Sequence, residues 1–189
     1  MKGLEEADRL VVEIQLGRCP RGAVDVAWRC PQGIPGVVKT APRLPDGTPF
    51  PTTYYLTCPK ATKLCSTLEG HGLMAEMSER LGSDSALKLR YYEAHKSYLA
   101  DRHQLGESLG LDVPEIEGVS AGGMPDRVKC LHVLVAHSLA VGVGVNPLGD
   151  DVVSRLGEFW VAPCPCVNPE TGLGSEQVGR EGLAQGELP

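Results

Sequence analysis

The stretch Ala121-Gly122-Gly123-Met124-Pro125-Asp126-Arg127-Val128-Lys129-Cys130-Leu131-His132-Val133-Leu134-Val135-Ala136-His137-Ser138 decides how this chain is read. It sets one thiol and two imidazoles in a segment that is otherwise almost wholly apolar. Such a segment buries itself, and polar groups carried into an interior must find partners: a metal, a substrate or neighbouring backbone. The apolar run from Leu131 to Val145 falls short of the roughly 20 residues that cross a bilayer. It reads instead as a buried helix that begins near Asp126 or Arg127 and fades by Gly142.

Upstream, the chain alternates between strand and helix signals. Asp8 is placed to cap a helix over Arg9 to Leu16, with Leu10, Val11 and Ile14 on one face and Gly17 as its stop. Ala23 to Arg29 alternates as a strand does, and Val37 to Thr40 can pair with it across a turn at Gln32 to Gly36. A proline-rich loop over Ala41 to Pro51 leads to a third strand, Thr52 to Thr57, which Cys58-Pro59 ends. Helices follow over Lys60 to Glu69, over Leu73 to Leu81, and from an Asp84 or Ser85 cap to about Leu105. On the long helix, Leu89, Tyr92, Lys96 and Leu99 mark one face, and Tyr91, His95, Tyr98 and Arg102 mark another, read as half-exposed. A long connection, Gly106 to Gly123, precedes the Cys/His helix, and a short helix over Asp150 to Leu156 follows it. Short strands first and helices behind them predict an α+β fold, a small sheet from the N-terminal half packed against several helices. Residues 1–166 form one domain in this reading, and 167–189 a disordered Gly/Glu-rich tail.

Composition narrows the functional classes. With 189 residues, 42% hydrophobic and 22% charged, the chain can bury a real core. A net charge of −6 argues against a nucleic-acid partner held by a basic face. Met1 to Leu16 carries Glu5, Glu6, Asp8 and Glu13, without the basic start and apolar run of a signal peptide. No membrane span is expected, and a cytoplasmic location is. In that reducing setting the seven cysteines read as buried thiols, metal ligands or catalytic groups.

Cys130 and His137 are seven positions apart, nearly two turns, and so share a helix face with Leu134. On a helix begun at Asp126 or Arg127, His132 lies on the side away from Cys130. A second pattern is four Cys-Pro dipeptides, at Cys19, Cys30, Cys58 and Cys164. Proline after cysteine recurs at iron–sulfur ligands, where the loop must be stiff. Cys30, Cys58, Cys164 and Cys130 together would make a four-thiolate site, or three of them a site completed by His137. The competing explanation is that a proline-rich chain produces such dipeptides without purpose, since no Cys-x-x-Cys pair accompanies them. A nucleophilic Cys130 with His137 as base and Asp126 as orienter is opposed by the roughly 10 Å rise between the first two; His132 or His95 would have to serve. Gly122-Gly123 reads as an anion cradle or as a plain turn.

The motifs Arg29-Cys30-Pro31, Gly47-Thr48-Pro49-Phe50-Pro51-Thr52-Thr53-Tyr54-Tyr55-Leu56-Thr57-Cys58-Pro59, Gly122 through His132, Ala136-His137 and Asn146-Pro147-Leu148-Gly149-Asp150 resemble those of domain-of-unknown-function family 501, an uncharacterised bacterial family common in actinobacteria. The resemblance implies no established reaction. The family's genes often lie beside a septum-formation gene and an exopolyphosphatase gene, which implies a setting near cell division. Its motifs centre on Cys30, Cys58, Cys130, His132 and His137, while Cys19, Cys65 and Cys166 fall outside them. The preferred reading is a zinc or iron–sulfur site built from Cys30, Cys58 and Cys130 with His132 or His137, Cys164 being the additional ligand. Its role would be structural or catalytic. The alternatives are a metal-free module that docks onto a division or envelope protein, and a hydrolase or transferase that uses Cys130.

Overall fold

A computed structural model describes residues 4–161. The expected tail, together with Cys164 and Cys166, lies outside the described residues. The strand signals hold. β1 (Ala23–Arg29), β2 (Pro35–Thr40) and β3 (Tyr54–Leu56) form an antiparallel meander in the order β1-β2-β3. Val26 stands opposite Val38, and Val37 opposite both Trp28 and Leu56. Cys30 closes the first hairpin, accepting from Gly33 N–H at 2.8 Å and donating to the Ile34 carbonyl at 2.9 Å. β3 is shorter than its β-branched run because Thr53 N–H turns to the Tyr98 hydroxyl at 2.7 Å.

The helices are α1 (Glu6–Leu16), α2 (Pro59–Gly70), α3 (Leu73–Ser83), α4 (Ser85–Leu109), α5 (Leu131–Val141) and α6 (Pro147–Leu156), with a 3₁₀ turn at Pro114–Ile116. Asp84 caps α4, accepting from Ala86 and Leu87 N–H at 3.0 and 2.9 Å. Asp8 is not a cap: it lies within α1 and takes the Arg29 guanidinium on both oxygens, at 2.8 and 2.6 Å. Gln15 Nε2 donates to the Pro35 carbonyl at 2.8 Å. Those two tethers turn the Asp8, Val12 and Gln15 side of α1 toward the sheet, so Val12 is its buried residue and Leu10 and Ile14 are exposed.

α5 is the hub. It packs against all three strands and against α2 and α6. Its Leu131, Leu134, Val135 and Ala136 are fully buried, and each Leu or Val so placed contributes about 1.5–3 kcal/mol. α6 approaches so closely that a Cβ at Gly149 would collide with the Leu134 carbonyl and stand 2.9 Å from Ser138 Cβ. None of the helices among the described residues is long and apolar enough to cross a membrane.

On α4 the faces are reversed from expectation. Tyr91, His95, Tyr98 and Arg102 are the buried stripe, while Leu89 and Tyr92 face outward. The polar groups are buried because partners reach them: the segment before β3 serves Tyr98, and the connection after α4 serves Tyr91, His95 and Arg102. Arg102 donates to the carbonyls of Ile116 (2.7 Å) and Val119, and Tyr91 to that of Arg127 at 3.4 Å. His95 Nδ1 lies 2.8 Å from Ser120 Oγ, which donates to the Met124 carbonyl. α4 thus reads as polar because its interior face ties down a loop, in keeping with the rule that buried polar groups are bonded.

Candidate functional site

The site follows from where α5 begins. Its first residue is Leu131, and Cys130 is the extended N-cap, with φ −157° and ψ 115°. The backbone donors that an earlier start would need are given away in turns. Arg127 N–H bonds to the Gly123 carbonyl, Lys129 N–H to that of Gly122, and Val128 N–H to Ser78 Oγ. Gly122 and Gly123 adopt φ of 69° and 92°, and a Cβ on Gly123 would stand 2.7 Å from the Arg127 carbonyl. The glycine pair is therefore a turn ahead of Cys130 and does not open onto the helix as an anion cradle. With Cys130 outside the helix, its partner is not His137. Cys130 Sγ lies 3.7 Å from His132 Nδ1.

A third group completes the cluster. Glu69, in the last turn of α2, reaches across so that its Oε1 accepts from Leu131 N–H at 2.7 Å and lies 3.1 Å from His132 Nδ1. The other ring nitrogen of His132, Nε2, lies 3.2 Å from the Thr62 carbonyl and 3.3 Å from Ser66 Oγ. A carbonyl only accepts, so it fixes a proton on Nε2 and leaves Nδ1 to Cys130 and Glu69. Hydrogen bonding to Cys130 first, and then the Glu69 charge, push the His132 pKa up to about 9 against the opposing effect of burial. Among the described residues, Glu69, Cys130 and His132 are the group of three potential ligands whose donor atoms all lie within 4.8 Å of one another.

His137 sits elsewhere, in the core between α5 and β3. It is fully buried, stacked on Tyr54 at 5.7 Å and meeting Tyr98 edge-on at 5.1 Å. Asn146 Nδ2 donates to its Nδ1 at 3.2 Å, while Asn146 Oδ1 accepts from Gly149 N–H and so caps α6. Burial pushes the His137 pKa down to about 4. Cys30 and Cys58 are buried beside a narrow cavity shared with Phe159 and Trp160. Cys65 is buried behind Cys130, and desolvation pushes its thiol up to about 12.

Cys130 and His132 open onto a cleft of about 740 Å³. Gln15 and Leu16 of α1, Phe50, the β3 segment, Thr62 and Lys63 of α2, and Val133 of α5 line the rest of it. The sequence offered Cys130 and His132 but not Glu69, which is 61 positions upstream of Cys130. One signal was present: a carboxylate in a helix's last turn faces the negative end of the dipole and is unfavourable there unless something compensates it.

No curated protein and no solved structure matches this chain. A family model described as "Protein of unknown function (DUF501)" matches residues 26–154. That span includes Cys30, Cys58, Glu69, Cys130, His132 and His137 and leaves out Cys164. Covering well over half of the chain, from the first strand to the last helix, the match shows that the chain belongs to the DUF501 family.

Proposed function

We propose that Glu69, Cys130 and His132 hold one divalent ion at the wall of the cleft, with a coordination position left open toward it. The observation that carries this reading is the convergence of three unlike donors on one point, with the far nitrogen of His132 pinned by a backbone carbonyl. Zinc bonds of about 2.0–2.3 Å place neighbouring donors roughly 3–4 Å apart, and the separations of 3.1 and 3.7 Å fall in that range. A thiolate, an imidazole and a carboxylate suit zinc better than magnesium or calcium. Three protein ligands with an open position make a catalytic kind of centre, at which a bound ion polarises a carbonyl or lowers the pKa of water. One thiolate in the group favours a single ion over a cluster.

The experiment is metal loading. Purified protein is expected to bind about one equivalent of Zn²⁺, and the Co²⁺ form to show a thiolate-to-metal absorption band that Cys130→Ala removes. Loading below about a tenth of an equivalent, with no such band, would overturn the reading.

A second reading keeps Cys130 as a nucleophile for a hydrolase or transferase. It is favoured by the thiol's place at the positive end of α5 beside a histidine held protonated. Fast alkylation of Cys130 at neutral pH in metal-free protein, undiminished by added Zn²⁺, selects it. Both readings suit a reducing, cytoplasmic setting. A partner among division or envelope proteins is supported by the family resemblance alone.

A further inference from the structure

Two of the Cys-Pro pairs come together where β2 begins. Cys30 follows β1 and donates its N–H to the Ile34 carbonyl, and Gly33, at φ 78°, turns the chain back. Cys58 follows β3, donates its N–H to the Gly36 carbonyl at 3.3 Å, and leads into Pro59, the first residue of α2. The carbonyls that hold them are only two residues apart in the chain. Cys30 and Cys58 are 8% and 7% exposed, and both line one cavity of about 10 Å³. A space of that size holds about one water-sized sphere. It suits a single ion and is too small for an iron–sulfur cluster.

The next thiols in the chain are delivered to the same place. Phe159 and Trp160 form another wall of the cavity, and their rings lie 6.0 and 6.3 Å from that of Trp28. Lys60, two residues after Cys58, donates from Nζ to the Val161 carbonyl at 2.6 Å. The last described residues are thus fastened beside Cys58, and the sequence continues Ala162-Pro163-Cys164-Pro165-Cys166. Cys164 and Cys166 follow Val161 by three and five residues. At no more than about 3.6 Å per residue, the connecting chain spans at most roughly 11 and 18 Å. A tether that short holds both thiols at high effective concentration over Cys30 and Cys58.

We propose that Cys30, Cys58, Cys164 and Cys166 bind one Zn²⁺ in a closed four-thiolate site, separate from Glu69, Cys130 and His132. Thiolates in that number select zinc over magnesium or calcium, and four of them complete a tetrahedron with no position left for water or substrate. The role is structural: the ion ties the segment after α6 to the end of the β1–β2 hairpin. Binding releases the thiol protons to solvent, so affinity falls as the pH falls. Zn²⁺ with four thiolates carries two negative charges, and Lys60, on the same cavity, offsets one of them.

The test is zinc binding by the full-length protein, with Cys130→Ala used to silence the cleft site. Cys130→Ala is expected to keep one tightly bound equivalent, whose X-ray absorption shows four sulfur neighbours at about 2.3 Å. Adding Cys164→Ser and Cys166→Ser should lower that affinity more than about a hundredfold. The metal-free protein should melt as the parent does, since both residues lie beyond α6. With Cys130 intact, Cys164→Ser/Cys166→Ser is the background in which the cleft equivalent, its Co²⁺ band and its affinity are read alone. Two equivalents in the parent and one in Cys130→Ala uphold both sites. One equivalent that survives Cys130→Ala and is lost with the terminal pair upholds this site and ends the cleft reading. A Cys130→Ala protein that takes up no Zn²⁺, whose zinc has fewer than four sulfur neighbours, or whose affinity ignores the terminal pair overturns the proposal. So does a disulfide among the four cysteines in protein purified without oxygen, or a brown protein that contains iron and sulfide.

Discussion

His132 and His137 lie five residues apart on one helix and behave as opposites. His132 is at the mouth of the cleft, with a carboxylate and a thiol on one nitrogen and a carbonyl on the other, and its pKa is pushed up to about 9. His137 is fully buried between two tyrosine rings and accepts from an asparagine amide, and its pKa is pushed down to about 4. Both are imidazoles in the same apolar run. The lesson is that the run does not set their chemistry; what faces each ring does. In the metal reading His132 would exchange its Nδ1 proton for an ion, whereas His137 is a core side chain whose tautomer Asn146 holds.

The comparison can be broken by truncating each ring in turn. His137→Ala removes aromatic packing and leaves Asn146 Nδ2 with only the Met124 sulfur at 4.0 Å, so it should cost about 3–5 kcal/mol in chemical denaturation while leaving Zn²⁺ binding to the folded fraction unchanged. His132→Ala should show the reverse. Metal affinity measured by chelator competition should fall by at least about a hundredfold, beyond the 10–100-fold seen for second-shell losses, with the metal-free protein melting close to the parent. Equal losses of stability in the two variants would end the distinction.

A smaller effect separates the rings by pH. The folded-state pKa of His137 lies below its ordinary value of 6.5. The stability tied to its neutral form is therefore fully present above pH 6.5, erodes as the pH falls, and is gone below about 4. A shift from 6.5 to about 4 amounts to about 3 kcal/mol at most. Urea melts across that window should show a decline that His137→Gln flattens; an unchanged slope would place His137 in contact with water. Smaller again is Asp84→Ala, remote from both rings. Losing the cap on α4 should cost about 1 kcal/mol with no change at either histidine.

Much of the architecture was legible because its signals are local. Alternation found the first strand, pairing across its turn the second, and β-branched and aromatic residues the third, which Pro59 ended; Gly17 and Asp84 punctuated the helices where they stand. What was illegible depended on distant partners. α5 was expected to begin near Asp126 or Arg127, yet Ser78 and the Gly122-Gly123 turn take the donors that the first turn would need. That shift moved Cys130 from His137 to His132. The polar face of α4 was expected at half exposure because the sequence does not show that the 116–127 loop brings carbonyls to it. Cys130 and His132 were readable from residue type. Glu69 came from another helix, and only its awkward place at a helix end pointed to it.

Glu69 has one further consequence, because the oxygen facing His132 also receives the first amide of α5. Whatever draws that carboxylate away releases Leu131 N–H to water. Deuterium uptake at a single backbone position is then a built-in gauge of the cluster's state. An ion taken by that same oxygen would compete with the Leu131 amide for it, so in the metal reading loading the site and closing the first turn of α5 would be one equilibrium read from two sides.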